Sequence, residues 1–182
     1  MTKRGIYILI CGLVLAGIIH IMIILLIPTF GTKDASDQLS QNNDMWEFVT
    51  LSSVGAANIA DVDPFFEIGA CRYDLGEDSL LISGPKTDAF WSASVFTEDG
   101  KILYSMNKRT AIEGKLSILV VNAIQMSNLR EIQPEEIETS ILVESRNNKG
   151  FVVSRVLTPD ESWKSGVEAF LGNIKCNRYA AN

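Results

Sequence analysis

Histidine and cysteine are scarce in this chain of 182 residues, and their scarcity limits its chemistry. The single histidine, His20, lies inside a long apolar stretch, so the remainder of the chain contains no imidazole. Sites that pair a serine or cysteine nucleophile with histidine are therefore excluded within one chain. Zinc is not expected either, because Cys71 and Cys176 have no imidazole partners there.

The common cofactor-binding loops are also missing. No run alternates Asp or Asn in the calcium-loop pattern, and no glycine-rich phosphate loop is present. Glu135 and Glu136 form a conspicuous acidic pair, but adjacent side chains diverge, so we interpret the pair as a solvated helix start. We expect no metal, no cofactor and no catalytic residue, and the sequence favours a protein that is not an enzyme.

Cationic residues are outnumbered by acidic ones. The formal net charge is −6 for the whole chain, and −8 for the residues after the apolar stretch, because Lys3 and Arg4 precede it. The acidic residues are scattered, which indicates a solvated surface and argues against nucleic acid as a partner. The same net charge argues against tight docking of this part onto anionic lipid.

The apolar stretch runs from Ile6 to Ile27 and predicts a transmembrane helix. Its 22 residues include no charge, and 15 of them are Ile, Leu or Val. At 1.5 Å per residue it spans about 33 Å, slightly more than the hydrocarbon core of a bilayer. Lys3 and Arg4 before it place the N-terminus in the cytoplasm and the remainder outside. A cleaved signal peptide remains the alternative, although 29–31 is a poor cleavage site.

The domain organisation follows from this anchor. Residues 1–5 are a cytoplasmic tail, 6–27 the membrane span, 28–44 a polar tether that begins with Pro28, and 45–182 the folded body. The lipid bilayer is the expected partner of residues 6–27. Gly12 and Ala16 are four residues apart, which would permit close approach of a second helix, so self-association or an envelope protein partner stays open.

The body reads as about seven strands joined by hairpins, with a few helices, which favours an antiparallel sheet with helices on one side or end. Asp63-Pro64 predicts the start of a short helix. We predict three hairpins, which pair 71–75 with 79–83, 90–97 with 102–106, and 139–144 with 151–157. A central strand is predicted over 115–123. Helices are predicted over 65–68, over 124–132, and from 158–160 to about Ile174.

Cys71 and Cys176 are the only cysteines of the body. In an oxidising compartment such a pair predicts one disulfide, which would close a loop of about a hundred residues. Two free buried thiols are the alternative. A redox-active pair is not expected, since the sequence has no C-x-x-C motif.

Trp91, Asn107 and Arg109 form the one candidate ligand set. An arginine beside an amide and an indole could hold a carboxylate or sugar hydroxyls by charge-assisted hydrogen bonds and stacking. The structural alternative is that Trp91 fills the core, Asn107 closes a turn, and Arg109 pairs with Asp99 or Asp74.

Several segments together resemble bacterial membrane-anchored proteins classed as domain of unknown function 1254. They are G-L-V-L-A-G-I-I-H, D-P-F-F, A-C-R-Y-D-L, F-W-S-A-S-V-F-T-E-D-G, Y-S-M-N-K-R-T-A, I-L-V-E and G-F-V-V-S-R-V-L-T-P. The F-W-S to N-x-R section is also similar to domain of unknown function 1214, whose longer N-P-x-N-R-Y segment is shortened here to residues 105–109. The resemblance implies a β-sandwich or jelly-roll-like body in the bacterial envelope, and it supplies no activity.

The resulting expectation is an α+β protein: a mainly antiparallel, jelly-roll-like β-sandwich with peripheral helices and one N-terminal transmembrane helix. It would be a single-pass protein of the bacterial inner membrane, with a periplasmic body that binds or scaffolds an envelope component. The alternative is an envelope enzyme without histidine or metal that uses carboxylates and Arg109. A concave pocket that gathers several of Asp74, Asp99, Asn107 and Arg109 would favour the enzyme, and a filled interior with these residues dispersed over the surface would favour binding or scaffolding.

Overall fold

The computed structural model describes residues 3–42, 44–51, 63–132 and 138–180. One long helix, α1 (Lys3–Asn42), precedes the body. The part from Lys3 to Ile27 is long and apolar enough to cross a membrane, with a mean hydropathy of 3.0, and none of it is buried. Both a membrane anchor and an N-terminal signal sequence have this character.

Helix α1 does not end at Pro28, where the sequence predicted its end. Its backbone stays helical through Asn42, so the expected tether continues the same helix. A proline inside a helix removes one backbone hydrogen bond and usually kinks the helix, but it does not oblige the helix to stop. The apolar part nevertheless ends at Ile27, as predicted.

The body contains nine strands and two helices within its described ranges. They are β1 (Phe48–Thr50), β2 (Phe66–Asp74), β3 (Ser79–Gly84), β4 (Trp91–Thr97), β5 (Ile102–Asn107), β6 (Leu116–Val121), α2 (Ala123–Ile132), β7 (Ile141–Glu144), β8 (Lys149–Leu157), α3 (Glu161–Gly172) and β9 (Lys175–Tyr179). A short 3-10 turn, Ile112–Gly114, precedes β6. The predicted helix start at Glu135 and Glu136 lies outside the described residues.

The strands form two sheets. Sheet A has the order β1-β2-β8-β4-β5, and sheet B has the order β7-β6-β3-β9. Every pairing is antiparallel except β6 with β7, which is parallel. The prediction of an α+β fold with mainly antiparallel sheets is therefore confirmed, as are the β4–β5 hairpin, the inner strand β6 and the helices α2 and α3.

Two of the three predicted hairpins are wrong. Strands β2 and β3 lie in different sheets, and so do β7 and β8. The turn residues between them reverse the chain, but they carry it from one sheet to the other instead of pairing neighbouring strands. Turn chemistry alone cannot distinguish these outcomes, because a sandwich connection needs the same reversal as a hairpin.

The predicted helix at 65–68 is also wrong, because Phe66–Asp74 is one nine-residue strand. Asp63 does accept a hydrogen bond from a following amide, as a helix cap would, but the donor is Phe65 N at 3.0 Å. This bond forms a tight turn, and the nine-residue pairing of β2 with β8 then fixes the extended backbone.

The core lies between the two sheets. Alternate residues of β4 are buried, beginning with Trp91, and inward residues of β2, β3 and β6 meet them, including Tyr73, Ile82 and Ile118. Helix α3 adds Phe170, whose ring centroid lies 6.3 Å from that of Trp91. The interior is thus filled by large apolar side chains from both sheets and one helix.

A disulfide joins Cys71 of β2 to Cys176 of β9, with 6.5 Å between the two Cα atoms. The predicted pairing is therefore present. Because β2 belongs to sheet A and β9 to sheet B, the bond links the two sheets across the core. The sequence placed Cys176 just after the last helix, and the structure adds that this residue is the second of an edge strand.

The end of α1 packs on the outer face of sheet A. Leu39 is buried there against Ala70 of β2 and Phe151 of β8. Phe151 also stacks on Phe96, with 5.0 Å between ring centroids. This small cluster fixes the last turn of α1 to the body.

Gly150 is the glycine whose replacement we expect to disturb this fold most. A β-carbon there would overlap the carbonyl oxygen of Phe96 and the hydroxyl of Tyr73. That hydroxyl donates to Phe96 O at 3.0 Å, and burial raises the pKa of Tyr73, which keeps the donor protonated. We expect Gly150→Ala to lower the free energy of unfolding by about 2–4 kcal/mol through overpacking and the strained hydrogen bond.

Gly166 provides the matched control for this substitution. It lies inside α3, and a β-carbon there would contact nothing within 4 Å. Gly166→Ala should therefore raise the free energy of unfolding by about 0.5–1 kcal/mol, since alanine favours the helix. Denaturant titration of both variants tests the pair, and equal effects would contradict the described packing around Gly150.

Candidate functional site

The three residues that the sequence grouped as a ligand set are neighbours along the backbone, since Lys108 N donates to Trp91 O at 3.0 Å, but their side chains have different roles. The indole of Trp91 is fully buried between the sheets, with no exposed surface. Asn107, at the end of β5, accepts hydrogen bonds from Arg109 N at 2.9 Å and Thr110 N at 3.3 Å, so its side chain closes a turn. The Arg109 side chain is exposed and forms no ion pair among the described residues.

The proposed acidic partners of Arg109 are engaged elsewhere. Asp99 pairs with Lys101 at 2.7 Å, and Asp74 approaches Lys149 at 4.0 Å. Asp99 follows β4, whereas Asn107 lies opposite Ser92 at the start of that strand. The two therefore sit at opposite ends of the hairpin, about 17 Å apart at 3.4 Å per residue.

A concave site lies instead between the edges of the two sheets. This cleft has a volume of about 350 Å³ and is lined by Trp46, Asp74, Gly76, Glu77, Asp78 and Arg178. Trp46 precedes the edge strand β1 of sheet A, and Arg178 belongs to the edge strand β9 of sheet B. We call this site the acidic cleft.

Trp46 and Arg178 form one wall of the acidic cleft. The guanidinium carbon of Arg178 lies 5.3 Å from the centroid of the Trp46 ring, which is cation–π geometry. Arg178 follows Cys176 by two residues on β9, so the disulfide holds the strand that presents it. Trp46 N donates to Arg72 O at 2.9 Å, which fixes the other partner.

Trp46 has an unusual backbone conformation. Its φ angle is 68°, in the left-handed region that non-glycine residues seldom occupy. Such a conformation persists only where the surroundings hold it, and it is concentrated at binding sites. Here the hydrogen bond to Arg72 and the contact with Arg178 hold it.

The opposite wall is the turn between β2 and β3. Asp74 closes this turn by accepting a hydrogen bond from Gly76 N at 3.1 Å. Glu77 and Asp78 follow, so three carboxylates line one small volume beside the single guanidinium of Arg178. The lining therefore carries a negative charge.

Two amide side chains at the start of α2, from Asn122 just before it and Gln125 within it, support this turn. Asn122 and Gln125 donate to Leu75 O at 2.9 and 3.2 Å. They also bond each other's backbone amides, both at 2.9 Å, as a reciprocal cap at the start of α2. The cap at the start of α2 therefore holds the turn that bears the carboxylates.

The ionisable side chains of the described residues show two features. No group of three His, Cys, Asp or Glu side chains among them could hold a metal ion. The resolved carboxylate shifts are downward: hydrogen bonds from Lys101, Lys115 and Ser162 lower the pKa values of Asp99, Glu113 and Asp160 respectively. Carboxylates with lowered pKa values are permanent charges near neutral pH, unlike general acids.

Comparison with known proteins gives the fold and no activity. No family model matches the sequence, and no curated protein matches it. A crystal structure of the VPA0106 protein from Vibrio parahaemolyticus is similar to 81% of this chain, with a TM-score of 0.60 and 10% identity. A putative uncharacterised protein from Burkholderia cenocepacia is similar to 83% of it, with a TM-score of 0.49 and 15% identity.

Both neighbours are considerably longer proteins. The matched regions are 35% of the Vibrio chain and 40% of the Burkholderia chain. At 10% identity the Vibrio structure supports the two-sheet fold alone.

Proposed function

We propose that this chain is a single-pass membrane protein whose body lies outside the cytoplasm and binds a ligand in the bacterial envelope. The observation that carries the anchoring is the apolar segment Lys3–Ile27, none of which is buried by the body. Lys3 and Arg4 would stay cytoplasmic by the positive-inside rule. The disulfide is compatible with an oxidising compartment such as the periplasm.

We also propose that the chain is related to domain of unknown function 1254, and that its body has the jelly-roll-like topology that this relationship implies. Successive strands change sheets from β2 through β4, between β5 and β6, and from β7 through β9, as they do in a jelly roll. The parallel pairing of β6 with β7 departs from that pattern.

The acidic cleft supports a binding role. Three carboxylates and the face of Trp46 surround a volume that a small molecule could fill. Carboxylates attract a cation, and an indole face binds an organic cation better than it binds a strongly hydrated metal ion. We therefore propose a ligand with an amine or guanidinium group, which would displace Arg178 from Trp46.

The enzyme alternative has less support from the geometry. A pocket with several of Asp74, Asp99, Asn107 and Arg109 would favour an enzyme, but Asp74 lines the acidic cleft without the other three. Asp99, Asn107 and Arg109 lie along or beyond the β4–β5 hairpin. Binding is accordingly the function that we propose.

The anchoring is tested by expressing the full chain in a bacterial host and extracting the membranes with alkaline carbonate. We expect full-length protein in the membrane pellet, and a body that external protease digests in spheroplasts. A shortened, soluble product would instead mean that Lys3–Ile27 is a cleaved signal sequence. A protected body would reverse the orientation.

The ligand class is tested by thermal unfolding of the detergent-solubilised full chain with arginine, putrescine and choline as probes. We expect at least one probe to raise the unfolding midpoint, since a ligand of the native state stabilises it. Asp74→Asn with Asp78→Asn should abolish the rise. Glu161→Gln with Glu168→Gln, an exposed acidic pair on α3, is the matched control and should retain it. No rise with any probe would count against a cationic ligand.

A further inference from the structure

The disulfide positions both members of the cation–π pair at the acidic cleft. Cys176 and Arg178 are two positions apart on β9, so their side chains leave the strand on the same side. Cys176 is bonded to Cys71 of β2, and the next residue of β2, Arg72, accepts the backbone hydrogen bond of Trp46 at 2.9 Å. The bond therefore sets the spacing between the strand that bears Arg178 and the segment that bears Trp46.

The guanidinium of Arg178 lies over Trp46 without a second polar partner. Its central carbon is 5.3 Å from the ring centroid, and within the described ranges it forms no ion pair. Arg178 is exposed, and β9 is an edge strand that pairs with β3 alone. The side chain can therefore leave the indole without breaking a hydrogen bond or a salt bridge.

The carboxylates of the acidic cleft do not engage this guanidinium. Asp74 approaches Lys149 at 4.0 Å, and the carboxylates of Glu77 and Asp78 have no ion-pair partner in the part of the chain that the structure describes. All three carboxylates share with Arg178 the lining of a volume of about 350 Å³. Opposite charges thus line one cleft without meeting, and the space between them is open to a ligand.

Attachment to β9 accounts for this separation. The backbone of Arg178 is fixed opposite Leu80 of β3, so its side chain reaches the indole and stops short of the carboxylates. A free guanidinium compound has no such restraint. It could lie over Trp46 and also donate to carboxylates through its planar set of N–H groups. A free ligand with the same cation would therefore make contacts that Arg178 cannot make.

We propose that Arg178 is a tethered stand-in for the ligand of the acidic cleft. The ligand is a small guanidinium compound, and Arg178 competes with it for the face of Trp46. This inference rests on the cationic ligand proposed above and narrows its class. An ammonium group is a compact, strongly hydrated charge without the planar arrangement of donors that both stacks on an indole and pairs with carboxylates.

The competition has a size that can be measured. A cation–π contact at an exposed site favours the stacked state over the free state by about two- to fivefold. The face of Trp46 is then open in about a sixth to a third of the molecules, and the apparent affinity for the ligand falls by the same factor. Removing the guanidinium of Arg178 should therefore strengthen ligand binding by about three- to sixfold.

The test is calorimetric titration of the detergent-solubilised full chain with N-acetylarginine amide and N-acetyllysine amide, two probes of equal charge. We expect the native protein to bind the arginine probe more tightly than the lysine probe. Arg178→Gln should bind the arginine probe about three- to sixfold more tightly than the native protein does. Lys175→Gln removes the same charge from the other end of β9 and is the matched control, with an expected change of less than about twofold.

A Trp46→Leu background separates competition from a general effect of charge. Without the ring, Arg178 has no face to occupy, so Arg178→Gln should bring no gain in this background. A gain that persists with leucine at position 46, or that Lys175→Gln reproduces in the native background, would mean relief of charge repulsion and would overturn the competition.

Displacement of Arg178 is also measurable by NMR in the native protein. The ring current of Trp46 should shift the side-chain protons of Arg178 upfield, and Arg178→Lys identifies their signals. Saturation with N-acetylarginine amide should abolish this shift. A shift that persists at saturation would overturn the displacement, whatever the variants show.

The outcomes distinguish this inference from the proposed function. Equal affinity for the two probes, or no gain in Arg178→Gln, would overturn the inference and leave a cationic ligand in place. Binding of neither probe, by the native protein or by Arg178→Gln, would refute the cationic ligand and the inference with it.

Discussion

Replacing Cys71 and Cys176 together with alanine should lower the free energy of unfolding of the body by about 3–5 kcal/mol. The two residues are 105 positions apart, so the bond removes a large loop-closure entropy from the unfolded chain. Both sulfurs are buried, and their loss adds a small packing cost. Roughly 5–15 kcal/mol is the whole stability of an ordinary domain, so this change is large. Denaturant titration of the solubilised full chain measures it.

Cys11→Ser is the matched control for this prediction. Cys11 is exposed on α1 and unbonded, so its replacement should not change the unfolding midpoint of the body. Reductant should lower the free energy of unfolding of the native protein as the double alanine substitution does. It should not lower that of the double alanine variant further. Alkylation of Cys71 and Cys176 without reductant, in protein purified from membranes, would show that the bond is absent.

Trp91→Ala should cost about 3–5 kcal/mol of unfolding free energy, because it leaves a cavity between the sheets beside Phe170. Trp91→Phe should cost less. The indole Nε1 is buried without a hydrogen-bond partner among the described residues, and phenylalanine removes that donor while retaining a ring. Denaturant titration of the two variants compares these costs.

Phe90→Ala is the control for the Trp91 series, since Phe90 is adjacent but exposed. Its effect should stay within about 0.5 kcal/mol. A Trp91→Ala protein of unchanged stability would mean that the indole does not fill the core, and the ligand role suggested by the sequence would regain support.

Features that depend on local periodicity could be predicted from the sequence. The apolar segment that ends at Ile27, the alternating strand β4, the apolar strand β6 and the amphipathic helix α3 were all found in that way. The last helix was predicted to open at 158–160, and the structure shows that Asp160 caps α3 by accepting from Ser162 N at 2.8 Å. In each case the signal lies within one element.

The assignment of strands to sheets could not be predicted, because it depends on partners distant in sequence. Strand β8 pairs with β2 and β4, which precede it by more than fifty residues. The Asn147-Asn148-Lys149-Gly150 turn reads equally well as a hairpin or as a crossing between sheets. Edge strand β9 was missed because five residues, Lys175–Tyr179, give little alternation to detect.

The acidic cleft was beyond sequence reasoning for the same reason. Trp46, Asp74 and Arg178 are brought together only by the edges of two sheets. The cap formed by Asn122 and Gln125, which supports the cleft, could have been predicted from the sequence. A polar cap residue followed three positions later by glutamine is a helix-start signature.

The place of β9 in sheet B also determines when folding can finish. This strand is the last of the nine to be synthesised, yet it pairs with β3, which precedes it by some ninety residues. Until Lys175–Tyr179 have been synthesised, one edge of β3 is unpaired and Cys71 has no partner. Sheet B therefore reaches its full width only after these residues have been made, and a chain that ends before Lys175 lacks both an edge strand and the second sulfur of the disulfide.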